Sequence, residues 1–257
     1  MLPSALDHLP EIVPQVLDRR LAIFLDYDGT LTPIVSRPEQ ATLSNSTRGV
    51  LRELSDAVPV AILSGRDLDD VRRLVGLDGI VYAGSHGFDI AGPRGLRKEV
   101  GTEFLPIIDL AEKELKLAGI SGAFMERKRF SIAAHYRNVA ESDVPKIEQA
   151  VNNVAANHRE LRKIDNKKVY ELQPNIDWNK GKAVLWLLEA LQLDGGAVLP
   201  IYIGDDLTDE DVFRALDERG AGIVVSKQPS LTAARYALQD PVEVERFLGE
   251  LTARLVQ

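Results

Sequence analysis

The chain has 257 residues, 45% of them hydrophobic, with a formal net charge of −8 and a sequence pI of about 5.2. That is enough apolar material for one large domain or two modest ones with buried cores, and the acidic balance excludes broad nucleic-acid or membrane-surface binding, which needs basic patches. There are no cysteines, which excludes disulfides, thiolate metal sites and cysteine nucleophiles.

Met1 to Arg20 mixes Pro, Asp, Glu and His among its apolar residues and lacks the basic start and apolar run of a signal peptide. No apolar stretch approaches the roughly 20 residues of a spanning helix. The expected location is cytoplasmic.

Leu21 to Leu25 is the first continuous apolar run, bounded by charge and by Gly29, and it predicts a strand buried on both faces. A helical period over Ser44 to Ser55 follows. Val58 to Leu63 predicts a second strand, ending at Ser64-Gly65-Arg66, and Leu68 to Val75 a helix. Ile80 to Ala83 predicts a third strand, ending at Gly84-Ser85-His86-Gly87. From 88 to 172 the segments are more polar. Glu103 to Leu117 and Val144 to His158 read as amphipathic helices, and Phe130 to Tyr136 and Lys168 to Leu172 as strands covered on one face. Apolar runs return with a helix at Lys182 to Leu191, a strand at Val198 to Ile203, a helix at Asp209 to Arg219 and a strand at Ala221 to Val225. The expected class is α/β: a Rossmann-like parallel-sheet core at 1–87 and 173–257, with an inserted α+β unit at 88–172. Ligands of open parallel sheets bind beyond the carboxyl ends of the strands. The tips after Leu25, Leu63 and Ile203 are therefore expected to converge.

Those tips carry the chemistry. Asp26 and Asp28 stand two apart in Asp26-Tyr-Asp-Gly-Thr-Leu31. Two desolvated carboxylates repel unless a cation lies between them, and oxygen ligands suit Mg²⁺. Gly29 permits a tight turn, and Thr30 offers a hydroxyl to a phosphate oxygen. A solvated acidic turn is the bland alternative. Gly204-Asp205-Asp206-Leu-Thr208-Asp209-Glu210-Asp211 is a second acidic loop at a strand tip. Thr208 can cap the next helix, with Asp209, Glu210 and Asp211 favourable at its positive end, which leaves Asp205 and Asp206 as metal candidates. The spacing of a calcium-binding EF-hand is absent. Ser64-Gly65-Arg66 can present a hydroxyl and a helix N-terminus to a phosphate, or simply cap the helix through Ser64 or Asp67. Lys180-Gly181-Lys182 adds positive charge.

Together and in this order, Asp26 to Leu31, Ser64 to Arg66, Lys180-Gly181 and Gly204 to Asp209 resemble the haloacid-dehalogenase (HAD) superfamily of phosphatases. The insert between the second and third motifs lies where some members carry a cap. Within the superfamily the chain is most similar to the trehalose-6-phosphate phosphatase family, through Tyr82-Ala-Gly-Ser-His-Gly87, Glu126-Arg-Lys-Arg-Phe-Ser131, His135-Tyr-Arg137, Tyr170-Glu-Leu-Gln-Pro174 and Asp177-Trp-Asn-Lys-Gly-Lys182. That family usually has Arg where this chain has Gln173.

The resemblance implies a Mg²⁺-dependent phosphatase working through an aspartyl-phosphate. It implies Asp26 as nucleophile and metal ligand, and Asp28 as general acid then base, lending its carbonyl to the metal. Ser64 and Lys180 are implied to hold phosphoryl oxygens, and Asp205, with Asp206 beside it, to hold the metal. Thr30, Gly65, Arg66, His86, Glu126, Lys128, His135, Arg137 and Glu171 are implied on the substrate. The partner expected is a small sugar phosphate, with hinges near Phe88 and Pro174. Rival readings are a phosphatase of sucrose phosphate, glucosylglycerol phosphate or mannosyl phosphoglycerate, a phosphomutase, and a non-catalytic regulatory module.

Overall fold

The computed structural model describes residues 2–12, 20–35, 38–166, 168–228 and 231–256. Strand β1 (Arg20–Asp26) is buried at every position after the first, as a continuous apolar run covered on both faces requires. Helix α1 (Asn45–Ala57) begins at Ser44, whose side chain accepts from the Thr47 amide at 2.9 Å. Such a cap is worth about 1 kcal/mol. β2 (Val60–Leu63), α2 (Leu68–Val75) and β3 (Val81–Gly84) repeat the strand–helix alternation. β4 (Asp89–Ala91) turns back antiparallel on β3, and β5 (Arg97–Glu99) follows. The middle of the chain holds α3 (Leu105–Leu117), β6 (Phe124–Lys128), β7 (Ser131–His135), α4 (Val144–Asn157), β8 (Leu161–Asn166) and β9 (Val169–Pro174). The alternation resumes with α5 (Lys180–Ala190), β10 (Val198–Gly204), α6 (Glu210–Leu216), β11 (Ala221–Val225), β12 (Tyr236–Leu238) and α7 (Pro241–Leu255).

The large sheet has the order β12-β11-β10-β1-β2-β3-β4-β5. From β12 to β3 all pairings are parallel. Successive side chains of a strand face opposite ways, so two cores form. Ile23, Leu25, Ile62, Ile201 and Ile203 cluster with Leu51 and Leu54 of α1, Val71 of α2 and Phe247 and Leu251 of α7. Ala22, Phe24, Ala61, Leu63 and Tyr202 cluster with Val184 and Leu187 of α5 and Val212 and Phe213 of α6. Full burial of one such side chain contributes roughly 1.5–3 kcal/mol. Among the described residues no helix is long and apolar enough to cross a membrane.

The chain divides into two compact units, Met1–Arg97 with Trp178–Gln257, and Lys98–Asp177. The sequence reading divides it at 87/88 and 172/173 instead. The first unit runs further because β4 extends its sheet beyond β3. The chain leaves that unit within β5. The second unit holds a four-stranded antiparallel sheet of order β6-β7-β9-β8. Ile132, Ala134, Tyr170 and Leu172 of this sheet cluster with Ile108, Ala111 and Leu115 of α3 and Ile147, Val151 and Val154 of α4.

The helix expected over Asp209 to Arg219 is shorter. Asp217 adopts a φ of +38°, and regular α-helix ends at Leu216.

Candidate active site

The parallel register sets β1 beside both β10 and β2, with Leu25 opposite Ile203 and Asp26 opposite Leu63. Three strand tips therefore open at one end of the sheet, carrying Asp26, Ser64 and Asp205. The turn after β1 is closed by the Gly29 amide donating to the Thr32 carbonyl at 2.7 Å. Gly29 has a φ of +92°, and a Cβ there would stand 2.1 Å from a carboxylate oxygen of Asp205. Only glycine permits both the turn and this close approach. Thr30 is buried and donates its hydroxyl to Asp205 Oδ1 at 3.4 Å.

Lys180 is the first residue of α5, whose N-cap Asn179 accepts from the Lys182 amide at 2.9 Å. This start aims the lysine into the acidic cluster. Its Nζ donates to Asp26 Oδ1 at 2.6 Å and to Asp209 Oδ1 at 2.7 Å. The Tyr202 hydroxyl, from β10, donates to the same Asp209 oxygen. Asp209 Oδ2 accepts from the Asp206 amide at 2.9 Å. Asp26, Asp205 and Asp209 each offer an oxygen within 4.8 Å of the others.

If all three are ionised, three carboxylates face one ammonium, leaving two uncompensated negative charges in a buried place. Burial pushes Asp26 well above the ordinary carboxylate range, and Asp209 and Asp205 add to this against the opposing pull of Lys180. Burial, then Asp209 and Asp206, push Asp205 up to about 7. Burial by itself would lower Lys180, but Asp209 and Asp26 outweigh it and hold the ammonium well above its usual value. A divalent cation fits this donor set in charge and in ligand type, because hard oxygen ligands suit hard cations.

Asp209 is the residue that sequence reasoning undervalued. Its helix-start role exists, in the bond from the Asp206 amide, yet its side chain is fully buried with Lys180 and Tyr202. Asp206 lies outside the trio, exposed, its Oδ1 accepting from the Leu207 amide at 2.6 Å. Tyr202 gave no signal beyond its place in an apolar strand. Asp28 is likewise not part of the trio. Both its oxygens accept from Arg66, Oδ2 from Nε and Oδ1 from Nη2, at 2.7 Å each.

Ser64 is buried and its hydroxyl accepts from the Arg66 amide at 3.1 Å. The tips after β2 and β3 are stitched by His86 N to Ser64 O at 2.9 Å and Ser85 N to Arg66 O at 2.7 Å. A Cβ on Gly65 would meet the His86 ring at 2.7 Å, so these two expected substrate residues do lie together.

The remaining expected residues belong to the second unit. The register aligns Glu126 with Ala133 and Glu171, and Lys128 with Ser131. Alternation then places Glu126, Lys128, Ser131, His135, Glu171 and Gln173 on the face opposite the helix-packed one. Glu171 is buried and accepts from Ser131 Oγ and from Lys128 Nζ, the latter at 3.1 Å. His135 Nε2 lies 2.8 Å from Glu126, and this hydrogen bond lowers the Glu126 pKa. With its amide oxygen turned toward Arg162, Gln173 accepts from Nε at 3.0 Å and Nη2 at 2.8 Å. Arg137 stands apart, exposed in the turn after β7.

The profile of the trehalose-phosphatase family matches residues 24–242. Probable trehalose-phosphate phosphatase 2 of Oryza sativa subsp. japonica is 45% identical over 98% of this chain and 73% of its own. Probable trehalose-phosphate phosphatase D of Arabidopsis thaliana is 43% identical over 97% of this chain and 72% of its own. The C-terminal domain of the C. albicans trehalose-6-phosphate phosphatase shares the fold, with a TM-score of 0.85 and 23% identity over 98% of this chain and 99% of that one. With the acidic strand tips, the lysine between them and the matched length in view, the chain belongs to the trehalose-phosphatase family.

Proposed function

We propose that this protein hydrolyses trehalose 6-phosphate to trehalose and phosphate, with Mg²⁺, through a phosphoryl group carried on Asp26. The observation that carries the reading is the buried Lys180 bridging Asp26 and Asp209, with Asp205 alongside. A charge cluster that is costly by itself is suited to a cation and an incoming dianion. The family gives the substrate class, and the relatives' names give the sugar.

In this reading a carboxylate oxygen of Asp26 attacks phosphorus, and the bond from phosphorus to the sugar oxygen breaks. The sugar oxygen takes its proton from Asp28. Water then attacks phosphorus, gives its proton to Asp28, and the Asp26 carboxylate is restored. Lys180 offsets phosphate charge, and the hydroxyls of Ser64 and Thr30 hold phosphoryl oxygens. Asp26, Asp205 and Asp209, with the Asp28 carbonyl, would hold Mg²⁺, which when bound neutralises charge on the phosphate.

The second unit acts as the cap in this reading. Glu126 and Glu171 suit a sugar because a carboxylate accepts from neighbouring hydroxyls, and Lys128 and His135 add donors. The reading includes a cytoplasmic location. It is tested by phosphate release from a panel of sugar phosphates with and without Mg²⁺. Release from trehalose 6-phosphate, lost on chelation, is expected. Release only from another sugar phosphate would overturn the substrate and leave the mechanism, and no Mg²⁺-dependent release from any would overturn both.

A further inference from the structure

Arg66 is expected from sequence to touch substrate, yet its guanidinium is engaged within the protein. Nε and Nη2 hold the two oxygens of Asp28, and Nη1 donates to Asp70 Oδ2 at 3.0 Å. The side chain is 10% exposed, whereas that of Asp28 is 39% exposed. The guanidinium also lies over the Tyr27 ring, 5.5 Å from its centroid, and the Tyr27 hydroxyl is anchored on the Ala41 carbonyl at 2.8 Å. Asp70 sits one helical turn on, in α2, where Arg73 holds its other oxygen. Its position therefore does not depend on Asp28.

This geometry bears on proton transfer. With both oxygens in an arginine fork, the lone pair of each that faces the guanidinium is occupied, and only the outward lone pairs are open to a departing or attacking group. For an inward lone pair to take part in a transfer, one of these bonds must open. We propose that Arg66 is a positioning residue for Asp28: Nε anchors one carboxylate oxygen while the other turns between Nη2 and the reacting oxygen, and Asp70 fixes the guanidinium throughout. The inference rests on the reading of Asp28 as the proton donor and acceptor given above. In the first step the proton leaves the freed Asp28 oxygen for the ester oxygen as its bond to phosphorus breaks. In the second, the same oxygen takes a proton from the attacking water. The anchored oxygen keeps its bond to Nε in both, so the carboxyl needs only a short rotation.

The test compares kcat/KM of the Mg²⁺-loaded enzyme on phenyl phosphate and p-nitrophenyl phosphate. Both are aryl phosphates with no sugar group for Arg66 to bind, and they differ by a para-nitro group whose absence leaves the phenyl oxygen more in need of a proton. R66A is expected to lower the value for phenyl phosphate about ten-fold and that for p-nitrophenyl phosphate less than about two-fold, as one misplaced acid predicts. D70N is expected to act in the same sense, more weakly, and to add nothing in the R66A background. Equal losses on the two aryl phosphates, or additive losses in the double variant, would overturn the inference. If R66A does not fold, D70N alone carries the leaving-group comparison with the same two outcomes. Absence of wild-type release from trehalose 6-phosphate would be a failure of the functional reading itself. Equal aryl losses in an enzyme that does release it would be a failure of the positioning role only.

Discussion

The Lys180 cluster of the first unit and the Glu126–His135 pair of the second handle charge in opposite ways. In the first, Lys180 is 2% exposed and Asp209 is fully buried, and each acid is held by another charged or hydroxyl group. In the second, the Glu126 and His135 side chains remain 35% and 25% exposed. Electrostatic interactions strengthen in the dry site and are screened in the wet one. Removing the lysine that the buried acids share should therefore damage turnover and fold together. Removing one of the part-exposed pair from the polar sheet face should change recognition and leave the rest.

The largest effect expected is from Asp26→Asn. It should lower kcat on trehalose 6-phosphate by about 10⁴-fold or more while the circular dichroism spectrum is unchanged. A loss of ten-fold or less would place the nucleophile elsewhere. Next is Lys180→Met, which strands Asp26 and Asp209 as buried carboxylates without their shared cation. Urea unfolding should register a destabilisation of about 3–5 kcal/mol, and kcat should drop about 10²–10³-fold. An unchanged midpoint would show that the three acids do not depend on the lysine. For Glu126→Ala, on the polar face and part-exposed, KM for trehalose 6-phosphate should rise roughly ten- to hundred-fold with kcat within a few-fold, the signature of lost hydrogen bonds to a charged group. A kcat loss as large as that of Lys180→Met would break the contrast.

The smallest effect concerns pH. Asp205 is raised to about 7, first by burial and then by Asp209 and Asp206. An acid raised on folding stabilises the metal-free fold below its unfolded value of about 4, and that contribution is lost as pH rises through about 7. The melting temperature of metal-free protein should therefore fall between about pH 5 and about pH 8, and Mg²⁺ should reduce the fall by relieving the acids. A rise across this window without metal would contradict the electrostatic account of the cluster.

The same contrast explains what the sequence revealed. Strands at the centre of the large sheet are covered on both faces, so β1, β2, β3, β10 and β11 stand out as apolar runs, and the acids at their tips were legible at once. Edge strands have no such pattern. β6, Phe-Met-Glu-Arg-Lys, and β8, Leu-Arg-Lys-Ile-Asp-Asn, form the two edges of the small sheet, where charge guards against unwanted pairing. Their inner neighbours β7 and β9 were visible. Short β4, β5 and β12 also escaped, as did α7, whose apolar positions Val244, Phe247, Leu248 and Leu251 are separated by charged residues. Within the site, local chemistry misdirected the reading of Asp209. Its spacing matches a helix start, and it does bond the Asp206 amide. What places its other oxygen on Lys180 is the long-range packing of α5 against the β10 tip, which no local pattern encodes. Asp28 and Arg66 were each legible as reactive types, but not as a pair, because 38 residues separate them.

In the proposed reaction phosphorus passes through Asp26. Asp28→Asn keeps the nucleophile and removes the group proposed to activate water, so the intermediate should persist. Acid-quenched Asp28→Asn protein, exposed with Mg²⁺ to p-nitrophenyl phosphate, whose leaving oxygen needs little proton donation, and digested, should carry a phosphoryl group on Asp26 by mass spectrometry. Release of p-nitrophenol from this variant with Asp26 unmodified at every quench time would contradict this route.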